Sequence, residues 1–260
     1  MRNKESYYKK NRNSNFARAY LDTYFGRVDP DEQIIINFLA KEYKKIKGKP
    51  QMLDLGTGPC IHHVLPAVPY VSGIVMADYL ADNLCELKKW KDDIKNAHNW
   101  NPFTKLTLKL EGVIPNKKNL AERERSLRLK IGEITYANVL KNNPINSKKK
   151  FAVIGFFYCA ETAASSKREW ELILNRVGKM VSSKGMLIMC SVENASFYII
   201  HDSLKGERKI PCVRINKRDF LRVLPKMGFD LSNTVIKSRK VSGMEKEGIR
   251  RIIVVSAKKF

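Results

Sequence analysis

The sequence lacks a long apolar run, paired cysteines, and acidic residues in balance with its basic ones. No stretch approaches the roughly 20 consecutive apolar residues of a membrane-spanning helix. Residues 1–14 are polar and basic, without the apolar core of a secretion signal, and we expect them to be loose. The five cysteines contain no Cys-x-x-Cys pair, which argues for reduced thiols rather than disulfides or a zinc site. We therefore expect a cytoplasmic protein without a membrane span.

The shortage of acidic residues leaves a strongly basic chain. Only 26 Asp and Glu oppose 49 Lys and Arg, which gives a formal net charge of +23. Such a charge is typical of proteins that bind nucleic acid or anionic membranes. However, lysines occur along the whole chain, and this favours a general compositional bias. The densest clusters are residues 205–218 and 237–251, where a polyanion would bind; nucleic acid is a possible but less favoured partner.

What the sequence does contain is an alternation of apolar runs and amphipathic segments. The runs are residues 51–55, 73–77, 130–135, 151–157, 185–191, 230–238 and 250–257, and the main helical patterns are residues 81–95, 166–181 and 216–227. Strands separated by helices predict a largely parallel sheet with helices on both faces. The last two strands are joined by a turn-rich segment and predict a hairpin.

Two helices are predicted before the first strand. Phe16, Tyr20 and Tyr24 recur at four-residue spacing, which predicts a helix over residues 16–25. A second helix should begin at Asp29-Pro30-Asp31-Glu32 and run to about residue 46, because proline and acids favour a first turn.

The strongest local signal is the glycine loop after the first strand. Asp54 and Leu55 end that strand, and Gly56, Thr57 and Gly58 follow. Glycines let the backbone approach a ligand closely, but Ile61 replaces the third glycine of a dinucleotide-binding loop. A carboxylate beside the loop suits the ammonium group of S-adenosylmethionine better than a pyrophosphate. The alternative interpretation is an ordinary tight turn.

A second acid supports this hypothesis. The next strand ends at Asp78, twenty residues beyond Gly58, where a carboxylate can accept hydrogen bonds from ribose hydroxyls. Alternatively, Asp78 caps the following helix. On the next strand, Glu133 could bind an adenine amino group while Ile134 lies against the ring, or Glu133 could be a solvated acid.

These motifs resemble the nicotinamide, phenylethanolamine and thioether methyltransferase family, a branch of the class I methyltransferases. The similarity is tightest over residues 53–100, and it extends to an aromatic N-terminal segment and to a later Phe-Tyr pair. The matching motifs are Asp54-Leu55-Gly56-Thr57-Gly58-Pro59, Ala77-Asp78-Tyr79, Asn83-Leu84, Trp100-Asn101-Pro102, Tyr20-Leu21-Asp22-Thr23-Tyr24-Phe25 and Phe197-Tyr198. Two departures argue against nicotinamide itself as the acceptor: His62 replaces a frequent tyrosine, and Ser191 replaces the acid of the nicotinamide branch.

The resemblance implies an α/β, Rossmann-like class I methyltransferase fold. Its sheet would have seven strands, mostly parallel, with helices on both faces and the last strand antiparallel. Residues 1–47 would form an N-terminal helical cap covering the active site. Residues 48–260 would form the methyltransferase domain, with a rim insertion at about residues 101–129.

The resemblance also implies a set of cofactor-binding residues. Tyr20, Phe25 and His62 would lie over the cofactor, Asp54, Gly56, Thr57 and Gly58 would hold its methionine end, Asp78, Tyr79 and Asn83 its ribose, and Glu133 and Ile134 its adenine. The cofactor would be S-adenosylmethionine.

Methylation of a protonated amine needs a group that takes up the proton. Glu161 and Glu193 follow the fourth and fifth strands, where ligands bind in open α/β sheets, and with Tyr20 they are the catalytic candidates. The predicted acceptor-binding residues are Tyr24, Phe157, Tyr158, Ser191 and Tyr198. Aromatic faces attract cations, although such residues are often core residues and such acids are often solvated. The four histidines show no metal-ligand spacing, so no metal is assigned.

We therefore expect a monomeric enzyme that methylates an amine or heteroaromatic nitrogen of a small molecule. The alternatives are an RNA or DNA methyltransferase, favoured by the charge, and a non-catalytic methyltransferase-like protein. Base-methylating enzymes commonly carry an Asp/Asn-Pro-Pro-aromatic motif after the fourth strand, but this chain has Gly155-Phe156-Phe157-Tyr158. The intact glycine loop and Asp78 argue against a non-catalytic role.

Overall fold

A seven-stranded sheet lies at the centre of the protein. The structure is a computed structural model, and it describes residues 16–202 and 206–260. The expectation that residues 1–14 are loose lies outside this part of the chain. The strands are β1 Gln51–Leu55, β2 Gly73–Asp78, β3 Ile131–Tyr136, β4 Phe151–Phe157, β5 Val181–Val192, β6 Phe197–Asp202, β7 Gly206–Pro211, β8 Phe229–Lys240 and β9 Arg251–Lys259. In the large sheet their order is β3-β2-β1-β4-β5-β9-β8, and β6 pairs with β7 separately.

The direction of the strands agrees with the prediction. Strands β1 to β5 pair in parallel, and β9 is antiparallel to both of its neighbours, β5 and β8. The expected seven-stranded, mostly parallel sheet with an antiparallel last strand is therefore confirmed.

Helices lie on both faces of this sheet. They are α1 Phe16–Tyr24, α2 Pro30–Tyr43, α3 Ala81–Lys91, α4 Asn101–Leu110, α5 Lys117–Lys130, α6 Ala160–Ala163, α7 Lys167–Met180 and α8 Lys217–Val223, with 3-10 turns at Leu65–Tyr70 and Pro225–Met227. Alternate residues of β1 point to opposite faces. Met52 packs with Leu39 of α2 in one core, whereas Leu53 packs with Trp170 of α7 in the other. Burial on both faces explains the nearly continuous apolar runs.

Two predicted helices end earlier than the periodicity suggested. Helix α2 ends at Tyr43 rather than at about residue 46, and α3 ends at Lys91 rather than at residue 95. In both helices the last turn contains the last buried residue, Tyr43 or Trp90, and polar residues follow. Without an apolar face to bury, the next residues gain too little to extend the helix.

The segment over residues 101–129, predicted only as a rim insertion, contains helix α4 and nearly all of a second helix. That helix, α5, begins after Asn116, whose side chain accepts a hydrogen bond from the amide of Asn119. The hairpin of β6 and β7 was not predicted. Within residues 16–202 and 206–260, no helix is long and apolar enough to cross a membrane.

Candidate active site

The glycine loop packs tightly between β2 and the segment after β4. Gly56 and Gly58 have φ of +66° and +62°, a region that favours glycine. A β-carbon on Gly56 would lie 2.5 Å from Sγ of Cys159. The amides of Gly56 and Thr57 both donate to the carbonyl of Ala77. These hydrogen bonds hold the loop against β2. The glycines therefore allow the backbone to pack closely, but their amides are not free to donate to a ligand.

The carboxylate of Asp54 is buried and incompletely paired. Asp54 is 1% exposed, and its Oδ1 has no hydrogen-bond partner within residues 16–202 and 206–260. Burial raises the pKa of Asp54 to about 6, although the nearby His63 acts in the opposite direction. A β-carbon at Gly155 would lie 3.0 Å from this oxygen, so glycine on β4 leaves space beside it. A buried carboxylate oxygen without a partner calls for a ligand, and an ammonium group fits this chemistry.

Asp78 forms a hydrogen-bonded junction at the end of β2. Its Oδ2 accepts from the amide of Gly58 at 2.8 Å, and its Oδ1 accepts from the amide of Leu80 at 2.8 Å and from Asn83 at 2.9 Å. Burial raises the pKa of Asp78. The carboxylate therefore joins the glycine loop to the start of α3. One accepted bond at Oδ2 leaves a lone pair there for a hydroxyl group.

The last residue of β3, Tyr136, lies beside Asp78, whereas the predicted adenine contact Glu133 lies further back on the strand. Glu133 is exposed and pairs with Val75, three residues before the end of β3. Tyr136 pairs with Asp78, and its ring lies 5.6 Å from that of Tyr79. Ile134 is half-buried against the first core. Tyr136 was missed, although an aromatic residue at the last position of a strand was visible in the sequence.

The predicted aromatic residues of the N-terminal segment cluster together. Tyr20 lies 5.2 Å from Tyr24 and 5.4 Å from Phe25, measured between ring centroids. Burial raises the pKa of Tyr20 well above its usual value, and Cys60 and Tyr198 act in the same direction. Tyr20 is therefore a neutral phenol, in the neighbourhood of Tyr198.

A second phenol lies directly after β4. Tyr158 has φ of +50°, which is strained for a bulky residue. Its hydroxyl donates to Oδ2 of Asp31 at 2.9 Å. Burial and the neighbouring Glu32 raise the pKa of Asp31 to about 7. In the sequence, Asp31 is recognisable only as an acid at a helix start. The helix does begin there, but Asp31 is also buried against the segment after β4.

Glu161 connects the ends of β4 and β5. Its carboxylate accepts hydrogen bonds from the hydroxyl of Ser191 and from the amide of Val192, both at 3.0 Å. Glu161 is 1% exposed, and no ion pair with a Lys or Arg is seen among the described residues. Burial raises the pKa of Glu161 to about 7. It is a buried acid that titrates near neutrality, which suits proton transfer.

Glu193 has different neighbours. Its carboxylate forms an ion pair with Arg251 at 3.0 Å and also accepts from the hydroxyl of Ser238. These partners belong to β9 and β8. The structure thus ties Glu193 to the antiparallel end of the sheet, while Glu161 binds Ser191 and Val192.

The remaining predicted residues include Phe157 and His62, which lie in an aromatic cluster. The ring of His62 lies 4.9 Å from Phe25, and the ring of Phe157 lies 4.2 Å from His63. Burial lowers the pKa of His62 to about 4, so the imidazole is neutral.

Both histidines approach Glu32 on α2. Its Oε2 lies 3.0 Å from Nε2 of His62 and of His63, but only His63 is aligned for a hydrogen bond. Burial opposes ionisation of Glu32, yet the two imidazoles outweigh it and lower its pKa. These three residues could hold a metal ion, whereas sequence reasoning assigned none. The adjacent His62 and His63 were the available signal, but Glu32 is about thirty positions away.

Comparison with known proteins identifies the family of this chain. A model of the NNMT/PNMT/TEMT family matches residues 3–260. The chain belongs to this family. It is therefore an S-adenosylmethionine-dependent methyltransferase, as expected from the sequence.

Relatives in this family have modest sequence identity. Nicotinamide N-methyltransferase of Homo sapiens is 26% identical, with 82% of this chain and 81% of the relative covered. Indolethylamine N-methyltransferase of Oryctolagus cuniculus is 23% identical, with 86% of each covered. Phenylethanolamine N-methyltransferase of Homo sapiens is 21% identical, with 75% and 68% covered.

Solved structures show the same fold. A DhpI–SAM–HEP complex has a TM-score of 0.57 at 11% identity and covers 98% of this chain and 95% of that chain. N-methyltransferase NodS from Bradyrhizobium japonicum WM9, with S-adenosyl-L-homocysteine, has a TM-score of 0.51 at 10% identity and covers 93% and 98%. The Rossmann-like class I methyltransferase fold of this family member is thereby confirmed.

Proposed function

We propose that this methyltransferase transfers a methyl group to the nitrogen of a small amine or heteroaromatic acceptor. The observation that carries the proposal is the unpaired carboxylate oxygen of Asp54 beside the glycine loop, in a chain matched by its family over residues 3–260. Nicotinamide, indolethylamine and phenylethanolamine N-methyltransferases are among its relatives, and these names specify small nitrogen compounds.

We call the residues around Asp54 and Asp78 the cofactor side. S-adenosylmethionine supplies the activated methyl group when bound. In our proposal Asp54 pairs with its ammonium group, and Oδ2 of Asp78 accepts from its ribose. Gly56 and Gly58 allow close approach. Tyr79 and Tyr136 present ring faces for the adenine.

The other cofactor contacts proposed from the sequence have less support. Glu133 is exposed and Ile134 is half-buried, so we give Tyr136 the larger contribution to adenine binding. Asn83 orients Asp78 rather than the ligand, since its amide donates to that carboxylate. Phe25 and His62 form the aromatic wall under α1.

We call the residues around Tyr20, Tyr158 and Glu161 the acceptor side. Glu161 would take up the proton that a protonated amine loses on methylation, and Ser191 orients its carboxylate. Tyr20, with Tyr24 and Tyr198 near it, would form an aromatic surface for the acceptor. Glu193 is only the second candidate for the proton acceptor, because its carboxylate already forms an ion pair with Arg251.

The packing of α1 and α2 supports the proposed arrangement of the chain. Residues 1–47 would form a cap, of which residues 16–47 are described, and Leu21 and Ile35 pack there in the same core as Met52 of β1. Residues 48–260 form the methyltransferase domain, with residues 101–129 inserted at its rim. We further propose a cytoplasmic monomer.

A second candidate acceptor is a nucleic acid. The chain has a net charge of +23, and Lys237, Arg239, Lys240, Lys246 and Arg250 are exposed. Binding to a polyanion through such residues weakens steeply as salt rises. The same residues also suit a surface that is simply well solvated, which we favour.

Purified full-length protein tests the two acceptor classes directly. It would be incubated with S-adenosylmethionine and a panel of pyridines, arylalkylamines and RNA, and the demethylated cofactor would be measured against a reaction without acceptor. We expect turnover with at least one small nitrogen compound. Turnover with RNA alone, at low salt, would reject the small-molecule proposal.

A further inference from the structure

The buried contact between α2 and the loop after β1 is chemically incomplete. His62 is 1% exposed, and among the described residues neither of its ring nitrogens has a well-aligned hydrogen-bond partner. An unsatisfied buried polar group is destabilising, and in a native protein it requires an explanation such as a bound ion.

The neighbours of His62 complete a donor set. Nε2 of His62 and Nε2 of His63 each lie 3.0 Å from Oε2 of Glu32, and the three ligand atoms are within 4.8 Å of one another. Two imidazoles and one carboxylate are a ligand set found in zinc sites, and imidazole also suits other transition metals. No Lys or Arg among the described residues forms an ion pair with Glu32.

The spacing is close to what an ion requires. Zinc lies about 2.0–2.1 Å from nitrogen and oxygen ligands, so tetrahedral ligand atoms are about 3.3 Å apart. The two 3.0 Å separations are a few tenths of an ångström shorter. A small outward movement of the side chains would therefore suffice.

We propose that Glu32, His62 and His63 bind a divalent transition-metal ion such as Zn²⁺. The ion would attach the first turn of α2 to the loop that follows β1, and so fix the cap to the cofactor side. Aromatic rings already restrict both imidazoles: Phe25 lies 4.9 Å from His62, and Phe157 lies 4.2 Å from His63. Rings held in this way favour the ion because less freedom is lost on binding.

Zinc binding to the untagged full-length protein tests this site. Cys85 is an exposed thiol, so Cys85→Ser would serve as the background. After chelator treatment, titration calorimetry with Zn²⁺ should give one tight site per chain, and Zn²⁺ should raise the melting temperature. His62→Phe should weaken binding at least tenfold while preserving aromatic packing. Glu32→Gln provides a second variant if His62→Phe folds poorly.

The matched control is His98, another buried histidine, whose Nε2 lies 3.1 Å from the carbonyl of Phe25. His98→Gln should leave zinc affinity unchanged. Equal affinity in His62→Phe, Glu32→Gln and the background, or no binding at all, would overturn the proposal. So would a thiolate charge-transfer band after Co²⁺ substitution, because that band would assign the metal to a cysteine. Neither S-adenosylmethionine nor an acceptor is added in these zinc titrations, so their outcome is independent of the proposed function.

Discussion

The carboxylates on the cofactor side and on the acceptor side are held by different neighbours. On the cofactor side, Asp54 leaves one oxygen without a partner, and the three bonds to Asp78 come from residues 58–83. On the acceptor side, Asp31 binds Tyr158 and Glu161 binds Ser191, partners that lie 127 and 30 residues apart in sequence.

In our proposal this difference determines how each side would bind its ligand. Apart from Tyr136 of β3, the cofactor side is built by β1, the glycine loop, β2 and the start of α3, so its chemistry is set mainly by short-range geometry. The acceptor side is assembled from α1, α2 and the ends of β4 and β5. Its chemistry can vary with any of these segments, which is consistent with acceptors that differ among relatives.

Of the substitutions that separate the two sides, neutralisation of Glu161 should have the largest effect. Glu161→Gln should lower kcat about 100-fold on a protonated-amine acceptor, because positioned proton acceptors contribute at least about that much. In the wild type, kcat should rise as pH increases through about 7, where Glu161 ionises. The rise should be absent in the variant. Steady-state pH profiles would measure both effects.

Glu193→Gln is the matched control for this experiment. Since Glu193 is paired with Arg251, its loss should reduce turnover less and keep the pH profile. A larger loss from Glu193→Gln than from Glu161→Gln would reverse our assignment of the proton acceptor.

On the cofactor side, Asp54→Asn should weaken S-adenosylmethionine binding roughly 10- to 100-fold. This estimate follows because a hydrogen bond to a charged group contributes about 1.5–3 kcal/mol. The same change should stabilise the apoprotein at pH 8. The pKa of Asp54 is raised to about 6 in the folded state, so wild-type stability falls as pH rises through that value. Calorimetry and thermal melting would measure the two effects.

The control for Asp54 is Asp82→Asn, which alters a first-turn acid of α3. It should leave cofactor affinity nearly unchanged. A lower melting temperature of Asp54→Asn at pH 8 would show that this carboxylate already has a stabilising partner.

The smallest expected effect concerns Tyr136. Tyr136→Ala should weaken cofactor binding roughly 2- to 10-fold, since aromatic contacts contribute about 0.5–1.5 kcal/mol. Tyr136→Phe keeps the ring and should bind normally. Equal affinities for all three proteins would remove Tyr136 from the cofactor side, and adenine binding would then rest with Ile134 and Glu133.

The cofactor side was largely predictable from the sequence because its residues are close together along the chain. A strand ending at Asp54, two glycines and a second strand ending at Asp78 define their own geometry. The strands of the sheet were also predictable, because β1 and β4 are buried on both faces and read as apolar runs.

The acceptor side was predictable only in part. Asp31 and Glu32 read as acids at a helix start, and that role is correct, but their burial against Tyr158 and His63 depends on how α2 packs. Likewise, the sequence does not distinguish Glu161 from Glu193. The difference arises because β9 brings Arg251 beside Glu193, a pairing between segments 58 residues apart.

The position of β9 has a consequence for how this protein folds. Residues Ile252 to Lys258 pair with β5 on one side, while β8 pairs with the other side of the same strand. Until these residues leave the ribosome, β8 has no neighbour and β5 presents an open edge. A nascent chain should therefore expose these unpaired edges, which promote aggregation, until β9 has been synthesised.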